Sequence, residues 1–168
     1  MVFRDAVARR GLAVACVVAG SCGVAAVSAT AAVPHKSPPS SCPAAAKLVG
    51  PAGTALTRKQ STKSGATIVC SYTNSKYANL TFDITTVKGV SASVFDTAMS
   101  LQAKAQHAPT KTIHGLGSAA VEFTDKDAKT DADGIATTTV AALVGDKEVV
   151  VVATLPAKHV LDIAHVLV

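Results

Sequence analysis

Hydrophobic residues recur along this chain with two different periods, and the changes of period mark its elements. In "ATIVCSYTN", residues 66–74, Ile68, Cys70 and Tyr72 share one face by alternation. In "YANLTFDITTV", residues 77–87, Leu80, Phe82 and Ile84 point one way while Thr81, Asp83 and Thr85 point the other. A period of two is that of a strand, and "NSK" is short enough to join the pair as a hairpin. Residues 91–106 switch to helical spacing, with Val94, Phe95, Ala98, Leu101 and Ala105 on the apolar side and Pro109 just beyond the end. This helix is expected to lie across the sheet. Alternation returns at Ala119, Val121 and Phe123, and two more strands are predicted over residues 135–144 and 148–154, joined by "GDK". "EVVVVAT" is apolar on both faces, which predicts a central strand covered more than its neighbours. Pro156 then opens a last helix whose Val160, Ile163, Ala164 and Leu167 face the core, with Lys158 and Asp162 as an exposed i,i+4 pair.

The start of the chain follows neither period. Arg4, Arg9 and Arg10 precede an Ala/Val-rich run over residues 11–27, and "SATAAVP" offers Ala29-x-Ala31 as a small-residue cleavage site. This is the pattern of an export signal over residues 1–31, cut after Ala31. The run is diluted by alanine and glycine, unlike the roughly 20 strongly apolar residues of a membrane anchor. "VAGSC", ending at Cys22, resembles a bacterial lipobox and keeps lipidation of Cys22 open. Ala19 stands where such boxes prefer leucine, and apolar residues rather than a polar tether follow, so free secretion is preferred. Residues 32–41, "AVPHKSPPSS", are a Pro/Ser-rich tether with too little apolar surface to fold. A single domain is expected over residues 42–168. "CPAAAKLVG" reads as a short helix with Ser41 as its N-cap and Gly50 at its end, and residues 51–65 read as a polar loop.

Composition adds a constraint on stability. Of 168 residues 49% are hydrophobic, but many are alanine, aromatics are 4% and tryptophan is absent. A core this thin benefits from a covalent staple. Two cysteines remain once the leader is removed, and an isolated pair in an exported protein is expected to form a disulfide, Cys42 to Cys70. The leader also carries Arg4, Arg9, Arg10 and Asp5, so the full chain's 16 basic and 11 acidic residues become 13 and 10, a net charge of about +3. The lysines are scattered apart from "RKQSTK", residues 58–63, and no basic stripe carries interleaved aromatics, which argues against nucleic acid. Contact with a membrane is expected only if Cys22 is lipidated.

Three stretches invite chemistry. In "KTIHGLGSAAVEF", residues 111–123, Gly115 and Gly117 lack the spacing of a phosphate loop, and Ser118 lacks the glycine frame of a nucleophile turn. They are expected to serve the bend into a strand. "TDKDAKTDADG", residues 124–134, resembles a calcium loop, but aligning Gly134 with the loop glycine puts Lys129 and Val140 at its two anchor positions. A solvated hairpin loop is the better reading. The histidines at 35, 107, 114, 159 and 165 show no metal spacing. Glu122 and Glu148 are the only glutamates, so no catalytic, cofactor-binding or metal residues are assigned.

The landmarks in order are a cysteine opening the first helix, "VCSYTN", "IHGLGSAAV", "LVGDKEVVVVAT" and a closing "LDIAHVLV". Together they resemble an exported actinobacterial family, often lipid-anchored, known as domain of unknown function 3558. The resemblance spans residues 42–168, and Tyr72 stands where that family often has tryptophan. It implies a stapled α+β sandwich in the cell envelope and brings no catalytic residues. The fold expected is therefore α+β: a mainly antiparallel sheet of about five strands, two longer helices packed on it, and a short disulfide-stapled first helix. The function expected is a secreted or envelope-associated, non-catalytic binding or accessory module for an unknown envelope ligand or protein. An extracellular sensor acting with a membrane partner is the alternative, and a secreted enzyme comes last.

Overall fold

The computed structural model describes residues 37–74, 80–125 and 135–168. Every described residue belongs to one compact unit, which spans Ala31–Val168. Cys22, the cleavage site at Ala31 and the aspartates at 127, 131 and 133 lie outside the described residues.

After Cys42 the chain makes a 3-10 turn, Ala45–Lys47, and a one-turn helix α1, Val49–Ala52. Gly50 does not end this helix as expected. Pro51 is tolerated because its missing N–H falls in the first turn, and Gly53, at φ 66°, ends it. Strands β1 (Thr57–Ser64), β2 (Thr67–Thr73) and β3 (Leu80–Thr86) follow, then helix α2 (Ala92–Ala105). Strands β4 (Lys111–Thr112), β5 (Ala119–Asp125), β6 (Thr137–Val144) and β7 (Lys147–Ala153) precede the last helix, α3 (Ala157–Leu167). All neighbours pair antiparallel, in the order β1-β2-β3-β7-β6-β5-β4. The α+β class holds, with seven strands in place of about five. The two additions are the edges: β4 has two residues, and β1 occupies most of the stretch read as a loop.

The order explains the layers. The connection from β3 to the far edge is long, and α2 makes it by crossing over β5 and β6. Strands β5, β6 and β7 then run back until β7 pairs with β3. Alternate residues of β6 enter opposite cores. Val140, Ala142 and Val144 join Phe82, Val151 and α3 on one face, while Ala141 and Leu143 join Phe95, Met99 and Ala103 of α2 on the other. Helix α3 buries Val160, Ile163, Ala164 and Leu167, as its spacing predicts, and Lys158 lies 3.9 Å from Asp162.

Helix α2 departs from expectation. Ser91 caps it, its Oγ accepting from the Val94 amide at 3.3 Å. The buried line is Phe95, Met99 and Ala103, whereas Val94 and Leu101 are 47% and 61% exposed. The helix is turned because it lies chiefly on β5 and β6, and among the described residues no element packs over its Val94–Leu101 side. Central β7 is likewise covered less than β6, since Val150 and Val152 face the side α2 leaves partly open.

Candidate functional site

The expected staple is present. Cys42 and Cys70 are bonded with their Cα atoms 5.6 Å apart, and Cys70 is fully buried beside Phe82 in the first core. Tyr72, two residues along the same strand face, donates its hydroxyl to the Pro43 carbonyl at 2.7 Å and stacks on Phe82 at 5.6 Å. Burial raises the Tyr72 phenol above its ordinary range, with the Arg58 charge opposing. The chain just before Cys42 also touches the domain: Pro38 is buried, and its carbonyl accepts from Lys147 Nζ at 3.4 Å.

The glycine stretch is a packing device. Gly115 and Gly117 have φ of 79° and 71°, and Leu116 between them is buried in the first core. A Cβ on Gly117 would overlap the Leu143 carbonyl, which accepts from the Ser118 amide at 2.8 Å and its hydroxyl at 3.0 Å. Ser118 is thereby tied to backbone. His159 is a spacer between helices, its Nδ1 2.9 Å from the Pro51 carbonyl and its ring over Gly53. Among the described residues no group of three or more His, Cys, Asp or Glu gathers as a metal set. A shallow depression of about 250 Å³ lies at the β4–β5 edge, lined by Pro109, Thr110, Lys111, Glu122, Phe123 and Thr124.

Chemistry concentrates on the part of the second face that α2 leaves largely uncovered. The strand registers lay out this floor as three rows. One row runs Gln60, Ser71, Thr81 and Val152; the next runs Thr62, Val69, Asp83 and Val150; the last runs Ser64, Thr67, Thr85 and Glu148. Neighbouring hydroxyls pair, Thr67 with Thr85 at 3.1 Å and Ser71 with Thr81 at 3.4 Å. Asp83 is the odd member, because its direct neighbours on both sides are valines. Its Oδ1 is buried with no hydrogen-bond partner among the described residues. Burial pushes its carboxyl above the ordinary range, and Glu148 is pushed the same way by burial and then by the Asp83 charge. A carboxylate held so is an acceptor waiting for a donor, on a floor made mostly of hydroxyls and valines, with Gln60 and Glu148 in its outer rows.

No family model, curated protein or solved structure matches this chain, so the resemblance drawn above rests on its landmarks alone.

Cys42 and Cys70 meet as the sequence predicts, whereas nothing in the sequence singles out Asp83. An aspartate alternating with threonines looks like one more polar residue on a solvated face. Only the register, which sets Val69 and Val150 beside it, reveals the cost of placing it there. Glu148 was noted as one of two glutamates, with no sign that it shares a face with Asp83.

Proposed function

We propose that this protein is an exported, envelope-associated module that works by binding, and that the floor formed by β1, β2, β3 and β7 is its recognition surface. The observation that carries this reading is Asp83. A carboxyl group between two valines with an unpartnered buried oxygen lowers stability, and such a residue is a candidate for function where no structural need for it exists. The floor around it supplies paired hydroxyls, which suits a polar partner that donates to Asp83. Support for export comes from the leader pattern and from the Cys42–Cys70 bond, since disulfides persist in oxidising compartments. Among the described residues no helix is long and apolar enough to cross a membrane.

A photo-crosslinking side chain at Thr81, on the floor, tests the reading in the exported protein. A control at Lys104, on the exposed side of α2, measures random capture. A discrete adduct from Thr81 that Lys104 does not give supports the surface. Adducts from neither position, or the same adducts from both, would refute it.

A further inference from the structure

Among the described residues strand β1, "TRKQSTKS", ends the sheet with β2 as its only neighbour, and all eight of its residues are exposed. Its outer row of amide and carbonyl groups faces solvent, which is a template for another strand. The opposite edge, β4, has two residues and offers no comparable length. The charge of the segment that carries β1 is one-sided. From Ala32 to Phe82 the chain contains no aspartate or glutamate, and Asp83 is the first. Among the described residues of that stretch the charges are Lys47, Arg58, Lys59 and Lys63, all exposed.

The register places two of these cations. Arg58 lies opposite Tyr72 and Lys63 opposite Ile68, on the sheet face that carries the disulfide, with a bulge between Arg58 and Gln60 absorbing an extra residue. Tyr72 and Ile68 are four residues apart on a regular strand. A regular strand added outside β1 would therefore meet the two cations with residues i and i+4. Lysines on an edge also discourage pairing between copies. A second β1 laid along the first would set cations against cations in an edge that already lacks any acidic residue.

We propose that β1 accepts an extended acidic segment of another protein as an added strand, with acids four residues apart opposite Arg58 and Lys63. The proposal rests on the binding-module reading above and names its partner class. Main-chain hydrogen bonds would supply affinity and the charge register specificity. Strands are spaced about 4.8 Å apart, so the added strand lies roughly 14 Å from Asp83. That exceeds the ~8 Å screening length at physiological salt, and Asp83 does not oppose it.

The test uses the full exported chain and two fluorescein-labelled seven-residue peptides of identical Thr/Val/Glu composition. One carries its acids at positions two and six, the other at positions two and five, which sends one acid to the opposite face. Anisotropy titration in physiological salt is expected to show the first peptide binding at least ~10-fold tighter than the second. N-methylating alternate amides of the first peptide should remove its binding, because a strand needs those donors. Arg58→Glu with Lys63→Glu should do the same while leaving the melting temperature unchanged. Equal affinity of the two peptides would overturn the proposal in favour of unregistered charge attraction. Binding only to phosphatidylglycerol vesicles, or a concentration-dependent dimer lost in the Arg58→Glu, Lys63→Glu variant, would overturn it in favour of a lipid surface or a second copy. If neither peptide binds while the Thr81 adduct still forms, the strand partner is wrong and the floor stands.

Discussion

Replacing Asp83 with valine should stabilise this protein, and the gain should grow with pH. Asp83 lies directly between Val69 and Val150 on the half-open face, and its Oδ1 is buried without a partner among the described residues. Leaving a buried acceptor unsatisfied costs about 1–3 kcal/mol. Valine would also add two β-branched cross-strand neighbours, each worth about 0.2–1 kcal/mol. The side chain is only partly buried, so the lower part of the range applies, a net gain of about 1–2 kcal/mol at neutral pH. The pH dependence follows from the direction of the shift. Burial raises the folded carboxyl above its unfolded value, so the unfolded chain gives up its proton first. Wild-type stability is thus lost as pH rises from the ordinary carboxylate range through the raised folded value, and the penalty is complete above it. Glu148 contributes in the same direction, and removing Asp83 removes one of its two causes. Urea unfolding of both proteins from pH 4 to pH 8 is the assay. The variant should match wild type most closely in acid and exceed it increasingly toward neutrality. A gap independent of pH, or a variant less stable than wild type at pH 8, would show that Asp83 makes a stabilising bond and that the reasoning is wrong.

Three further substitutions test the frame around the site. Gly117→Ala should cost about 3 kcal/mol or more in chemical denaturation, since it adds a left-handed penalty to an overlap with the Leu143 carbonyl. His107→Gly should gain about 0.5–1 kcal/mol, because His107 closes α2 at φ 51° and glycine adopts that conformation without strain; a loss instead would show that the imidazole makes a bond worth more than the strain. Replacing Cys42 and Cys70 together with serine opens a loop spanning 28 residues. The chain-entropy argument puts the loss at about 3.5 kcal/mol, or roughly 10–15 °C in melting temperature, and calorimetry on the double variant would check it.

What could be read from the sequence depended on how uniquely an element's own pattern names its buried face. Helix α3 packs on β6, β7 and α1, yet it carries one apolar stripe, so its spacing alone names Val160, Ile163, Ala164 and Leu167. The hairpin of β2 and β3 was readable because its inner row, from Ile68 to Ile84, is apolar and its outer row is not. Helix α2 carries two overlapping apolar stripes, and which one is buried depends on the long crossover to β4, a fact of topology rather than of spacing. Strand β1 was unreadable for a simpler reason. Both its faces are exposed, so no residue in it is required to be apolar and no period appears. Asp83 escaped for the opposite reason, since its pattern was perfect for a strand and its neighbours were the information. The two features that carry the functional argument are thus the two places where hydrophobic pattern is silent.

The staple and the edge strand belong to one mechanical argument. β1 buries no side chain, so hydrophobic packing does not hold it in place. Its position depends on the ladder to β2 and on the chain that leads into it. That chain runs from Cys42 through the 3-10 turn and α1, and the disulfide closes it onto β2 at Cys70, whose register partner on β1 is Ser61. The Tyr72 hydroxyl on the Pro43 carbonyl fastens the same join two residues away. With the bond intact, the segment carrying β1 is a short closed loop, and its freedom to leave β2 is small. With the bond reduced, the same segment is a long arm that keeps Leu48 and Ala52 in the core and the Tyr72–Pro43 and His159–Pro51 contacts, but β1 itself is left to its exposed ladder, and the low-stability end of the sheet moves there. An edge fastened in part by a disulfide is held most firmly where disulfides persist. The Cys42–Cys70 bond is thus consistent with the proposed export, under which the edge offered to a partner would be assembled outside the reducing cytosol.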